Sequence, residues 1–153
     1  MIIFTTDNGL MHGAHGLAGK WYPYQESIRV PLIIYDPRMP SNKRGTIDES
    51  LTLNVDLAET ILGAANISPP PLMQGRDLSD LYLRTPDTEN TTQPWRTEFY
   101  YEYPIGNLPK DPSCSALVQK EWKYIHWPEQ KYDQLFDLIN DPWELNDLAR
   151  TIS

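Results

Sequence analysis

The chain has 153 residues, 40% of them apolar and 22% charged, which fits one globular domain or a domain with a small appendage. Its 21 acidic residues against 13 basic ones give a net charge of −8, and no Lys/Arg run interrupts that field, which excludes nucleic acid as a partner. A single cysteine, Cys114, excludes an internal disulfide, and no stretch approaches the roughly 18–20 apolar residues that a membrane span requires.

The chain opens on Ile2-Ile3-Phe4-Thr5-Thr6, a β-branched and aromatic run that predicts a strand buried on both faces, as in a parallel α/β sheet. A strand at the very start, with no charged-then-apolar leader before it, reads as a fragment. Residues 7–27 carry Gly9, Gly13, Gly16 and Gly19 without sustained periodicity, and are expected to form a long loop. Val30 to Tyr35 is a second apolar run, stopped by Asp36-Pro37. Asn54 to Ala65 has helical spacing, with Val55, Ala58, Ile61, Leu62 and Ala65 on one face; Asp56 and Glu59 stand at capping-box spacing and Asn54 is a second candidate cap. Ser68-Pro69-Pro70-Pro71 ends any helix, and the polar run 84–94 reads as a linker. Beyond it, residues 97–103, 116–119, 123–127 and 134–138 predict four short strands of a small antiparallel sheet. Asp141-Pro142-Trp143-Glu144 has the cap, N1 proline and N3 glutamate of a terminal helix. The expected organisation is an α/β piece at 1–83, a linker at 84–94 and a β-rich subdomain at 95–153.

Chemistry is concentrated in the loop after the first strand. Asp7 and Asn8 sit at its carboxyl end, where open sheets gather ligand groups. One anionic and one neutral oxygen donor suit a hard cation such as Ca²⁺ or Mg²⁺, while Asp-Asn-Gly is equally good turn chemistry. Lys20 is either a solvated lysine or, folded back by the glycines, a compact charge for an oxyanion. His12 and His15 have the spacing of a zinc pair, but no cysteine or third ligand stands near at a usual spacing. His15 alone is either a hydrogen-bonded structural residue or a proton donor to a leaving group.

Three ordered segments carry a resemblance. Thr6-Asp7-Asn8-Gly9, His15-Gly16-Leu17, Gly19-Lys20 and Glu26-Ser27-Ile28-Arg29-Val30-Pro31-Leu32-Ile33 together resemble the second signature region of the sulfatase family. Asn54 to Leu62 with Gly75-Arg76 is similar to that family's N-V-D-L-A-P-T-I-L helix and its G-R continuation. Gln134 to Leu138 with Asp141-Pro142, Glu144 and Asn146 to Ala149 resembles its closing L-Y-D-L…D-P-x-E…N-L-A pattern. The resemblance covers nearly the whole chain and corresponds to the C-terminal portion of a sulfatase. It implies part of an alkaline-phosphatase-like parallel sheet with helices, plus a C-terminal subdomain of small antiparallel sheet and terminal helix.

By position, the resemblance implies that Asp7 and Asn8 are metal ligands, usually for Ca²⁺, that Lys20 contacts the sulfate, and that His15 is a catalytic residue near the leaving group. Glu26 and Arg29 match positions in the family's Y-E-E-S-x-R-V-P run, and are read here as a structural ion pair or hydrogen bond that braces the loop. His12, Ala14, Gln25 and Glu59 depart from the usual residues without touching the matched positions. The family's nucleophile is a cysteine or serine in C/S-x-P-x-R, converted to formylglycine. Cys114, in Pro112-Ser113-Cys114-Ser115-Ala116, lacks the Pro and Arg and is not that residue. The implied parent hydrolyses a sulfated small molecule or glycan and is periplasmic or secreted. The isolated chain is expected to be inactive and to self-associate through exposed sheet edges. Two alternatives stay open: phosphate or phosphonate ester hydrolysis within the same superfamily, and a carbohydrate platform built from Tyr100, Tyr101, Tyr103, Trp122 and Trp127.

Overall fold

The computed structural model describes residues 1–83, 93–104 and 112–151. In chain order these form β1 (Ile2–Thr5), β2 (Met11–His12), β3 (Ala18–Gly19), α1 (Gln25–Ile28), β4 (Leu32–Tyr35), α2 (Asp56–Ala64), α3 (Ser79–Tyr82), β5 (Glu98–Tyr103), β6 (Cys114–Gln119), β7 (Trp122–Trp127) and β8 (Tyr132–Asp137). The architecture is mixed α/β with a four-stranded antiparallel sheet in its C-terminal part. The chain divides into two compact units, one of residues 1–5 and 32–96, the other of residues 6–31 and 97–153. The expected linker at 84–94 lies almost wholly outside the described residues.

In the first unit β1 and β4 pair antiparallel, with Ile2 opposite Tyr35 and Phe4 opposite Ile33. The expectation of parallel strands buried on both faces is corrected on this point. A parallel return needs a crossover long enough to pack on the sheet, and residues 6–31 contain only the four-residue α1. One face of the ribbon carries Ile2, Phe4, Ile33 and Tyr35, all about 60% exposed. The predicted helix appears as α2, but the face it buries is polar: Asp56 and Thr60, one turn apart, are enclosed while Val55 and Ile61 are exposed. The reason is the reach of Asp56. Its carboxylate accepts both guanidinium arms of Arg96 at 2.6 Å, the Leu53 N–H at 2.7 Å and the Arg76 N–H at 2.9 Å. Thr60 takes the Leu78 N–H at 2.9 Å. Asp36, also buried, is held by the Arg38 fork and by the Tyr82 hydroxyl at 3.0 Å. That guanidinium keeps the Asp36 carboxyl well below the usual carboxylate range.

In the second unit β5 to β8 form a meander in which each strand pairs antiparallel with the next. All four strands stand where the alternating sequence places them. The inward positions Cys114, Ala116, Val118, Ile125, Trp127 and Phe136 form the core, and Met11 and Tyr24 of the 6–31 segment complete it. The proposed aromatic platform divides: Trp127 is buried, Tyr101 and Tyr103 pack against the core, and Tyr100 and Trp122 are exposed on the outer face. The expected helix at Asp141-Pro142-Trp143-Glu144 is a turn instead, and a short 3₁₀ helix follows at Leu148–Thr151. Glu144 adopts a left-handed φ of 55°, which no α-helix accommodates, because its side chain is drawn into the interior.

Candidate active site

The 6–31 segment is a folded strap rather than an open loop. β2 pairs with β3, a 3₁₀ turn spans Ala14–Gly16, and α1 closes the segment. Gly13 and Gly19 have φ of 97° and 91°, values that a side chain resists, and they set the two bends of the β2–β3 pair. Gly9 has a different requirement. Its N–H bonds the Ser27 carbonyl at 2.8 Å, and a Cβ there would meet the Glu26 carbonyl oxygen at 2.0 Å. The Asp7-Asn8 corner is thereby pressed against α1.

At this corner Asp7 is exposed and Asn8 is half-buried. The Asn8 side chain donates to the Gly9 carbonyl at 2.7 Å and accepts from Lys20 Nζ at 3.1 Å. Two of the sequence-predicted site residues, twelve positions apart, are thus in direct contact. The Asn8 amide oxygen thus faces the Lys20 ammonium, and the Asp7 carboxylate adjoins Asn8 in the chain. Asp7 and Asn8 fit a divalent cation by donor chemistry, as two of the 6–8 oxygens that Ca²⁺ takes.

His15 belongs to a second group. Its ring stacks on Tyr24 at 4.1 Å between centroids, and its Nε2 lies 3.7 Å from Glu26 Oε2. The backbone of His15 is left-handed, at φ 55°. Tyr24 donates its hydroxyl to Gln134 Oε1 at 2.8 Å, an oxygen that also receives Trp127 Nε1 at 2.9 Å. Burial pushes the Tyr24 phenol up to about 12. Below this lies an ion pair with no exposed surface, Lys123 Nζ to Glu144 Oε1 at 2.6 Å. Burial pulls the Lys123 ammonium below the ordinary lysine range, against the opposing pull of Glu144. Of the matched residues, Glu26 thus joins the His15 group while Arg29 is exposed; His12 is exposed on β2, apart from the His15 stack.

The sequence reading missed Lys123, Glu144, Gln134 and Tyr24. One signal was available. In β7 the outward residues Trp122, Tyr124 and His126 alternate with Lys123, Ile125 and Trp127, so Lys123 stands in phase with the core. A lysine at an inward position calls for a buried acid.

A mixed α/β chain with a four-stranded antiparallel C-terminal sheet is the architecture of the sulfatase class. Its sequence matches the family described as N-sulphoglucosamine sulphohydrolase, C-terminal, over residues 13–152, and the chain belongs to that family. An arylsulfatase of Clostridium perfringens is 35% identical over 99% of this chain and 30% of its own length. An N-acetylglucosamine-6-O-sulfatase of Bacteroides thetaiotaomicron is 32% identical over 97% of this chain and 26% of its own. Among solved structures, one described as in complex with its substrate D-glucosamine-2-N,6-O-disulfate superposes with a TM-score of 0.82 at 28% identity, over 96% of this chain and 29% of that one. A phosphonate monoester hydrolase from Silicibacter pomeroyi gives a TM-score of 0.69 at 25% identity, over 97% of this chain and 32% of its own. The chain therefore spans about 30% of the length of the arylsulfatase it matches.

Proposed function

We propose that this chain supplies the cation-and-sulfate corner of a sulfuric ester hydrolase. The observation that carries the reading is the 3.1 Å contact between Lys20 Nζ and Asn8 Oδ1, which sets an ammonium against a hard-cation ligand. Asp7 and Asn8 would hold Ca²⁺, with Mg²⁺ as the alternative, and the bound ion would polarise the sulfate. Lys20 carries three N–H donors; one goes to Asn8, leaving others for the sulfuryl oxygens where charge builds as the ester bond breaks. His15 is assigned to the leaving-group side. Its Nε2 lies 3.7 Å from Glu26 Oε2, and a proton delivered by the imidazole to the leaving oxygen is the role assigned to it.

Relatives acting on 6-sulfated N-acetylglucosamine and on sulfated glucosamine make a sulfated amino sugar the proposed substrate class. The family's formylglycine would come from residues other than these, since Cys114 is buried and its thiol is pushed up to about 12 by burial. A second reading, phosphonate or phosphate ester hydrolysis, draws on the likeness to the phosphonate monoester hydrolase.

The test is titration of the chain with Ca²⁺ and then with inorganic sulfate, followed by amide and side-chain NMR shifts. Ca²⁺ is expected to move Asp7 and Asn8, sulfate to move Lys20, and Asp7→Ala to abolish the first response. Absence of any response at the three residues would sink the assignment. Aryl sulfate turnover by the 153 residues alone is expected to be negligible.

A further inference from the structure

A ring nitrogen of His15 and one carboxylate oxygen each of Glu26 and Glu144 lie within 4.8 Å of one another, an arrangement that could be taken for a metal site. The cation it needs is already present, because the Lys123 ammonium sits 2.6 Å from Glu144 Oε1. What distinguishes this pair is where its remaining hydrogen-bonding capacity goes. Lys123 Nζ donates to the Pro23 carbonyl at 2.8 Å, and Glu144 Oε2 accepts the Gln25 N–H at 2.7 Å. The pair therefore grips the strap's backbone on both sides of Tyr24, and the ring of Tyr24 is the surface on which His15 stacks. Pro23 is three residues after Lys20.

A buried ion pair is seldom the most stabilising solution, since apolar residues of similar volume often do as well or better. Its distinctive contribution is direction, and here both ends point at main-chain atoms of one segment. Resting on the functional reading above, we infer that Lys123 and Glu144 are positioning residues: through Pro23, Tyr24 and Gln25 they fix where His15 and Lys20 stand. The left-handed backbone of both His15 and Glu144 accords with this, since neither conformation is favoured locally and each is held by the contacts of its side chain.

The experiment uses the 153-residue chain and three variants: Lys123→Met, the apolar double replacement Lys123→Met/Glu144→Leu, and Val118→Ala as a core-loosening control in the same sheet. The readout is the ring-current displacement of the His15 ring protons over Tyr24, together with the Lys20 side-chain shifts and the amides of β6, β7 and β8. In the double variant the sheet amides are expected to keep their pattern, while the His15 displacement collapses and the Lys20 signals move. In Val118→Ala the melting temperature falls but His15 and Lys20 stay in place. A folded double variant with an unchanged His15 displacement overturns the inference. A further measurement does not depend on any variant folding. In the wild-type chain the Gln25 amide must exchange with solvent as slowly as the sheet amides, and fast exchange there overturns the inference as well. No sulfate ester is involved, so failure of the cation and sulfate titrations leaves this result standing, and the converse holds.

Discussion

Gln134 offers the sharpest energetic test of how the strap is held. One amide oxygen of this buried side chain accepts both the Tyr24 hydroxyl, at 2.8 Å, and the Trp127 indole N–H, at 2.9 Å. Tyr24→Phe deletes one donor and leaves the oxygen bonded to Trp127, so the cost is that of one net hydrogen bond, about 0.5–1.5 kcal/mol. Gln134→Leu keeps the volume but strands two buried donors at once. Each orphaned group costs about 1–3 kcal/mol, so the loss is about 2–6 kcal/mol, a large share of the roughly 5–15 kcal/mol that holds a domain. In the double variant Tyr24→Phe/Gln134→Leu only the indole remains stranded, and about 1–3 kcal/mol should be recovered relative to Gln134→Leu. The assay is urea unfolding followed by the Trp127 indole resonance and by circular dichroism, comparing midpoints at constant slope. If Gln134→Leu costs no more than Tyr24→Phe, the shared-acceptor reasoning is wrong.

In the first unit, Arg96→Ala leaves the Asp56 carboxylate buried with only backbone donors, and unfolding of that unit should become easier by about 3–5 kcal/mol, measured by thermal melting. Alkaline pH should weaken the second unit. Tyr24, Tyr101 and Cys114 are each pushed up to about 12 from ordinary values of 10.0, 10.0 and 9.0. The folded state therefore retains protons that the unfolded state releases. The stability is fully present below roughly pH 9, falls as pH rises toward 12, and is read as a falling urea midpoint across that window. The apolar face of the β1–β4 ribbon should drive self-association; light scattering is expected to show oligomers that Phe4→Lys/Ile33→Lys reduces, and a monomeric wild-type chain would refute this.

The strands of the meander were legible because their side chains alternate with period two and turn residues separate them, so local pattern and tertiary burial agree. The Asn8–Lys20 contact was legible in part, since the glycines between them allow the fold-back that brings them together. Two other readings failed for one physical reason. Asp141-Pro142-Trp143-Glu144 satisfies every local rule for a helix start, yet Glu144 is turned inward by a lysine 21 residues earlier and an N–H 119 residues earlier. Likewise the apolar stripe of α2 predicts its buried face correctly only if packing follows hydrophobicity, whereas the two arms of Arg96 pull Asp56 inside. Long-range charge pairing overrode local pattern in both places; the period of β7 shows that Lys123 needs a buried acid, but spacing does not say which distant residue supplies it.

The meander is assembled from neighbours in sequence, whereas the strap it holds is distant: Tyr24 meets Gln134 across 110 residues and Pro23 meets Lys123 across 100. Closing such separations is the slow part of a folding reaction. During synthesis at about 5–20 residues per second, the strap emerges roughly 5–20 seconds before its anchors exist. For that interval the Asp7-Asn8 corner and Lys20 are in the chain but geometrically undefined. Formation of the β7–β8 hairpin, which carries Lys123 and Gln134, is thus the event that fixes the shape of the strap.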